Sequence, residues 1–227
     1  MNLLAALPLA PVLAVQALRV RRSTPRLPEA AGSRRGVTQG DGEPYRLGVL
    51  GESTAAGVGA ATQDDALAGH LARELAQRLK RPVEWQVAAR TGARARRVAD
   101  ELVALLDPAD LVVVALGVND LLELTRLRVF ESDLTEVLKK IPAKRVLVAG
   151  MPPVGEFPSL PRPLRTVMGR RAAALDQVIR KVAGDRYTPM ETPEPDMFAE
   201  DGFHPSSKGY ARWAEGLATH WAASPQG

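Results

Sequence analysis

One run constrains this chain more than any other: "DLVVVAL", Asp110 to Leu116. Its last six residues are apolar without a break, and three of them are β-branched valines. A strand apolar on both faces has to be covered on both, which places it in a parallel sheet between two layers of helices. Runs of similar character recur as "YRLGVL" (45–50), "PVEWQV" (82–87) and "RVLVAG" (145–150), and a short strand fits near Arg186–Met190. Helical spacing fills the gaps. Leu67, Leu71, Leu75 and Leu79 recur every four residues. Val98, Leu102 and Leu105 mark a second helix, and Phe130, Leu134, Val137, Leu138 and Ile141 a third. Val167, Met168, Leu175, Val178, Ile179 and Val182 give a long helix within 164–182, and 206–222 closes the chain with another. This alternation predicts a three-layer α/β/α domain with a flavodoxin-like parallel sheet.

In such a sheet, the loops that carry chemistry lie at the carboxyl ends of the strands. Gly51-Glu52-Ser53 follows the first strand, "AARTGARA" with Gly92 the second, and "LGVND" with Gly117, Asn119 and Asp120 the third. "DGFHP", with Asp201 and His204, comes near the C-terminus. A serine hydroxyl is a poor nucleophile at neutral pH until a base takes its proton. His204 can be that base, and Asp201, three residues earlier, can orient the ring and stabilise the imidazolium. Each residue also has a plainer reading. Ser53 beside a glycine suits a turn or a helix N-cap. Asn119-Asp120 suits an N-cap, Gly92 and Asp201-Gly202 suit turns, and His204 suits a loop. "GESTA" nearly matches the G-x-S-x-G elbow of α/β-hydrolases. Against that fold, Ser53 follows the first strand, and Asp201 and His204 are three residues apart rather than on separate loops.

Taken together and in this order, the four blocks resemble the SGNH hydrolases, also called GDSL esterases and lipases, over about residues 45–220. The resemblance implies the SGNH hydrolase fold and a catalytic Ser53, Asp201 and His204. It also implies an oxyanion hole formed by the backbone N–H of Ser53 and of Gly92 and the side-chain amide of Asn119. No cofactor is implied. One position departs: Glu52 stands where the family usually has aspartate. That residue lies outside the triad, so altered hydrogen bonding in the serine loop is expected. The implied function is a serine esterase or acyl hydrolase working through an acyl-serine on a small-molecule or lipid ester. The ester is a lipid-type acyl ester or thioester, or an O-acetyl group. A membrane-tethered, non-catalytic binding protein on the same fold is the alternative, favoured by Glu52 alone.

Charge and composition narrow the partners. The chain is +4 overall, but residues 1–40 alone are +5, which leaves −1 for the rest. A near-neutral domain has no excess to neutralise many phosphates, so nucleic acid is not expected as a partner. The absence of cysteine excludes disulfides, a thiol nucleophile and Cys-ligated zinc. His70 and His220 fall on helical patterns, and no histidine pair has metal-ligand spacing.

The N-terminal segment 1–22 is apolar from Leu3 to Leu18 except for Gln16, with Arg19, Arg21 and Arg22 after the run. A spanning helix needs about 20 apolar residues, so the length is marginal. Charge behind the run rather than before it favours an uncleaved anchor over a cleaved signal, and a docked helix is the plainer reading. Membrane association through residues 3–18 is therefore expected, with the catalytic domain on the cytoplasmic side and export as the alternative. Residues 23–44, rich in proline and glycine, read as a linker, and 45–222 as the hydrolase domain. A chain beginning near Gly42 is expected to be competent. The segment "MPPVGEFPSLPRP" (151–163) is expected to wall the pocket.

Overall fold

The computed structural model describes residues 9–157 and 159–223. Six strands form one sheet: β1 (Arg35–Val37), β2 (Tyr45–Gly51), β3 (Val83–Ala89), β4 (Ala109–Ala115), β5 (Ala143–Ala149) and β6 (Tyr187–Thr188). Their spatial order is β1-β3-β2-β4-β5-β6. The five from β2 to β6 run parallel, with Val49 opposite Val113 and Val113 opposite Leu147, while β1 runs antiparallel to β3. In chain order the parallel part reads 2-1-3-4-5, the flavodoxin arrangement. Each expected strand is present, with ends shifted by at most two residues.

The helices are α1 (Ala10–Ser23), α2 (Leu67–Leu79), the short α3 (Ala95–Arg97), α4 (Val118–Leu122), α5 (Leu127–Lys140), α6 (Leu164–Ala183) and α7 (Ser207–Ala223). Strand parity sorts them into two layers, because successive side chains point to opposite faces. Leu47, Val49, Leu111 and Val113 meet α2 and α7 through Leu71, Leu75, Tyr210 and Leu217. Leu50, Val112, Val114 and Val148 meet the other layer through Val98, Phe130, Leu134, Leu175 and Ile179. Fully burying each such side chain contributes about 1.5–3 kcal/mol, and the residues named are almost wholly inaccessible.

The second expected helix is irregular. After α3 comes a π-turn, Val98–Leu102, and then a 3₁₀ turn, Val103–Leu105. A π-turn holds an extra residue, so everything beyond it rotates out of the 3.6-residue stripe. Leu106 is therefore buried, and Leu105 is left exposed.

The segment 23–44, expected as a linker, is folded onto the domain instead. It supplies the edge strand β1, buries Ala30 against the α2 layer, and pairs Ala31 with Thr62. The run of small and turn residues misled because an edge strand of three residues needs little apolar content. In the N-terminal run, residues 1–8 lie outside the described residues. The part from Ala10 rests on the domain: Gln16 donates through Nε2 to Arg162 O (2.7 Å) and accepts at Oε1 from Leu164 N (3.0 Å). Among the described residues, no helix is long and apolar enough to cross a membrane.

Candidate active site

The strand order reverses between β2 and β4, where the connections leave in opposite directions and the carboxyl ends open a crevice. Ser53 follows β2, and Asn119 follows β4. Beyond Gly51 the chain turns tightly: Ala56 N donates to Glu52 O (2.9 Å) and Val58 N to Ser53 O (3.0 Å). Small residues allow this turn to pack inward, with Ala55, Ala56 and Val58 buried and Ser53 half-buried at the edge. A Cβ on Gly59 would sit 2.3 Å from Pro205 O, so only glycine lets the serine turn press against the histidine loop. Tyr210 of α7 fastens the same turn by donating to Val58 O at 2.7 Å.

The histidine loop delivers its residues from one short hairpin, closed by Ala199 N donating to His204 O (2.8 Å). His204 Nδ1 lies 2.5 Å from Asp201 Oδ2, and Nε2 lies 2.9 Å from Ser53 Oγ. Asp201 Oδ1 accepts from the backbone N–H groups of Phe203 (2.9 Å) and His204 (3.0 Å). The Asp201 side chain is 1 % exposed and that of His204 25 %. Burial alone would push the Asp201 carboxyl up, but the His204 ring and the two N–H bonds hold it below the usual carboxylate range. An ionised carboxylate only accepts, so Nδ1 carries the imidazole proton and Nε2 presents its lone pair to Ser53. An acceptor at that distance can take the hydroxyl proton.

Gly92 borders the same cleft as Ser53. A Cβ there would meet nothing within 4 Å, so its φ of +79° rather than close packing calls for glycine. Neither Ser53 N nor Gly92 N donates to another protein group among the described residues. Asn119 differs. Its Nδ2 donates to Glu52 Oε2 (2.5 Å) and to Ala93 O (3.1 Å), which engages both amide hydrogens.

The longer side chain of Glu52 explains that arrangement. It crosses to the start of α4, where Oε1 accepts from Val118 N (2.8 Å) and Oε2 from Asn119 N (3.0 Å) as well as the amide. Gly117, the N-cap of α4, has no side chain to satisfy these groups, so the carboxylate does so from the neighbouring loop. Burial pushes the Glu52 carboxyl up to about 7, with the bonds from Asn119 and Val118 pulling the other way and the Asp120 carboxylate adding to the rise.

Sequence reasoning missed Glu29. Its Oε1 accepts from Thr91 N (2.7 Å), directly before Gly92, while Oε2 takes Arg34 (2.5 Å). Arg34 in turn donates to Ala89 O (2.6 Å) at the end of β3. An acid in a segment read as linker carries no signal for this role. The cleft wall is apolar where the 151–163 segment was expected: Val154, Phe157 and Leu160 line it with Phe198 and Phe203, and Leu13 and Val20 of α1 join them. Phe157 meets Phe198 and Phe203 edge-on, at 5.2 and 6.1 Å between ring centres.

Known proteins resemble this chain in sequence and fold. The chain is 27% identical over 186 residues to the GDSL-like esterase Rv1075c of Mycobacterium tuberculosis, an alignment covering 74% of this chain and 59% of that protein. The chain therefore spans under two thirds of that relative's length. Among solved structures, the lipase Lip_vut3 from a goat rumen metagenome superposes with a TM-score of 0.63 at 16% identity, over 80% of this chain and 99% of the other. TesA gives 0.61 at 23% identity over 78% and 97%, and an inhibitor-bound aryl esterase from M. smegmatis gives 0.59 at 16% over 80% and 100%. At these identities the likeness is one of fold, the α/β/α fold of SGNH hydrolases. The family model for GDSL-like lipases and acylhydrolases matches residues 49–212, from inside β2 to inside α7. Because that match covers most of the chain and takes in the loops of Ser53, Gly92, Asn119 and His204, the chain belongs to the GDSL-like lipase/acylhydrolase family.

Proposed function

We infer that this protein is a serine esterase that cleaves carboxylic esters through an acyl-serine intermediate. The observation that carries the reading is the continuous contact from Asp201 through His204 to Ser53, at 2.5 and 2.9 Å. Ser53 Oγ attacks the ester carbonyl while its proton passes to His204 Nε2. The carbonyl oxygen takes negative charge, and the unengaged N–H groups of Ser53 and Gly92 stabilise it. Asn119 serves as third donor by giving up one of its two present acceptors. The imidazolium then protonates the leaving alcohol, and the acyl group stays on Oγ. Water enters, His204 takes its proton, and the acyl-serine is hydrolysed to the free acid and Ser53. The ionised Asp201 stabilises the imidazolium in both halves.

The apolar wall of Val154, Phe157, Leu160 and Phe198 favours an acyl chain over an O-acetyl sugar, since an acetyl group would leave that wall uncovered. A lipid-type ester or thioester is thus the preferred substrate class. The test pairs a fluorophosphonate probe with p-nitrophenyl esters of rising chain length. Labelling at Ser53, lost in Ser53→Ala, with kcat/KM rising beyond the acetate ester, is the expected result. Absence of labelling in folded protein would favour the alternative, a binding protein on the same fold. The Glu52 carboxylate that occupies the Asn119 amide is the observation behind that alternative.

A further inference from the structure

Among the described residues, ten large apolar side chains are exposed, and eight of them lie on or beside two elements. Leu9, Val12, Val15 and Leu18 run along α1. Leu122, Leu124, Leu127 and Val129 occupy the end of α4 and the start of α5. These elements are neighbours. The same helix, α6, receives Gln16 of α1 at Leu164 N and holds the α4–α5 turn through Arg171, whose Nη2 donates to Thr125 O at 2.5 Å. The two attachments are seven positions apart on α6, about 10 Å. Both elements also border the cleft that contains Ser53.

The domain does not use the outward sides of these elements. In α1, the inward stripe of Leu13 and Val20 packs on the core, so Val12, Val15 and Leu18 face away from it. Leu124 has φ +55° and is 58 % exposed. A left-handed residue just past a helix is usually glycine or asparagine. A leucine there pays steric strain and gains no burial in return.

Charge identifies the occupant. Arg19, Arg21, Arg22 and Arg26 follow the α1 apolar face, and Arg126 and Arg128 alternate with Leu127 and Val129. All six are exposed, and none forms an ion pair among the described residues. The sequence from Met1 to Pro28 contains no acidic residue, and Leu3–Pro8 continues the apolar run ahead of α1. Exposed leucine and valine interleaved with unpaired arginine match the acyl boundary and anionic headgroups of a bilayer surface. The 14 described residues of α1 measure about 21 Å, short of the roughly 30 Å hydrocarbon core, a length that suits a helix lying in the plane of a bilayer surface.

We propose that α1 and the α4–α5 turn form one docking surface for an anionic lipid bilayer, holding the mouth of the Ser53 cleft at the membrane. Docking itself does not depend on the esterase reading. If both hold, the substrate reaches the cleft from the lipid phase.

The test is cosedimentation of the full-length protein with phosphatidylcholine vesicles, with and without about a third phosphatidylglycerol. Binding to the anionic vesicles, weakened by salt, is expected for the wild type and equally for Ser53→Ala. The combined variant Arg126→Glu, Leu127→Ser, Arg128→Glu, Val129→Ser should bind at least about tenfold more weakly. It should keep wild-type circular dichroism and kcat on a short water-soluble ester. Wild-type affinity in that variant would overturn the shared surface and leave the N-terminal segment acting alone. A wild type that ignores anionic vesicles and instead sediments as a dimer, made monomeric by the same variant, would overturn the lipid and assign the surface to a second copy. Vesicle binding by a protein that no fluorophosphonate labels would leave docking intact and remove the esterase reading.

Discussion

Glu52 is one methylene longer than the aspartate usual at its position, and that length lets it reach the start of α4. Its carboxyl sits at about 7, raised from 4.5 chiefly by burial. Between those values the folded chain holds a proton that the unfolded chain has released, so this residue makes stability fall as pH rises through that window. Glu52→Gln removes the titration. Denaturant unfolding at pH 5 and pH 8 should show the wild type losing stability relative to the variant over that interval. A gap that is constant or widens with pH would show that burial does not win over the three N–H bonds. Asn119→Ala tests the partner. If its amide turns to the developing oxyanion, kcat should fall about 10²–10³-fold with KM nearly unchanged. A risen KM with an intact kcat would leave Asn119 as a structural tie between Glu52 and Ala93.

At the scale of elements, the reacting groups are brought together by packing between the serine turn, the histidine loop and α7. Tyr210 is fully buried, and its hydroxyl satisfies Val58 O within the serine turn. Tyr210→Phe keeps the ring and strands that carbonyl, a change that costs about 1–3 kcal/mol when a buried acceptor is left unpaired. Urea unfolding should record a loss of that size, with a smaller effect on kcat than on stability. A neutral result would mean that water reaches Val58 O. The turn's compactness was legible in the sequence, because Ala55, Ala56, Gly57 and Gly59 leave no bulk to keep it apart from its neighbours. Its alignment with α7 was not, since Tyr210 and Val58 are 152 residues apart.

For the whole molecule, the question is where the domain begins. Strands β2 to β6 and the Ser53, Asp201 and His204 contacts all lie beyond Gly42, which is why a chain starting there looked competent. The structure adds Glu29 on Thr91 N, Arg34 on Ala89 O, buried Ala30 and strand β1. A chain beginning at Gly42 should therefore lose kcat and unfold at lower temperature than one beginning at Thr24, which keeps all four. Glu29→Gln in the full chain separates loop support from edge pairing. It weakens the hold on Thr91 while leaving β1 in place, so a drop in kcat without a matching drop in Tm is expected. Equal kcat and Tm for the two truncated chains would make residues 24–41 dispensable.

The sequence by itself determined the layers, the five parallel strands and the loops that carry Ser53, Gly92, Asn119 and His204, but not the edge strand β1. Periodicity and turn residues are properties of near neighbours, and six unbroken apolar residues admit few environments. Tertiary structure alone decided the contacts between loops. The Glu52 carboxylate meets Val118 and Asn119 across 66 and 67 residues, and Glu29 meets Thr91 across 62. No local pattern encodes such a bond, because it depends on where two separate chain reversals come to rest. The same holds for the N-terminus: its composition reads as apolar and basic, but only docking through Gln16 decides which face of α1 stays outside.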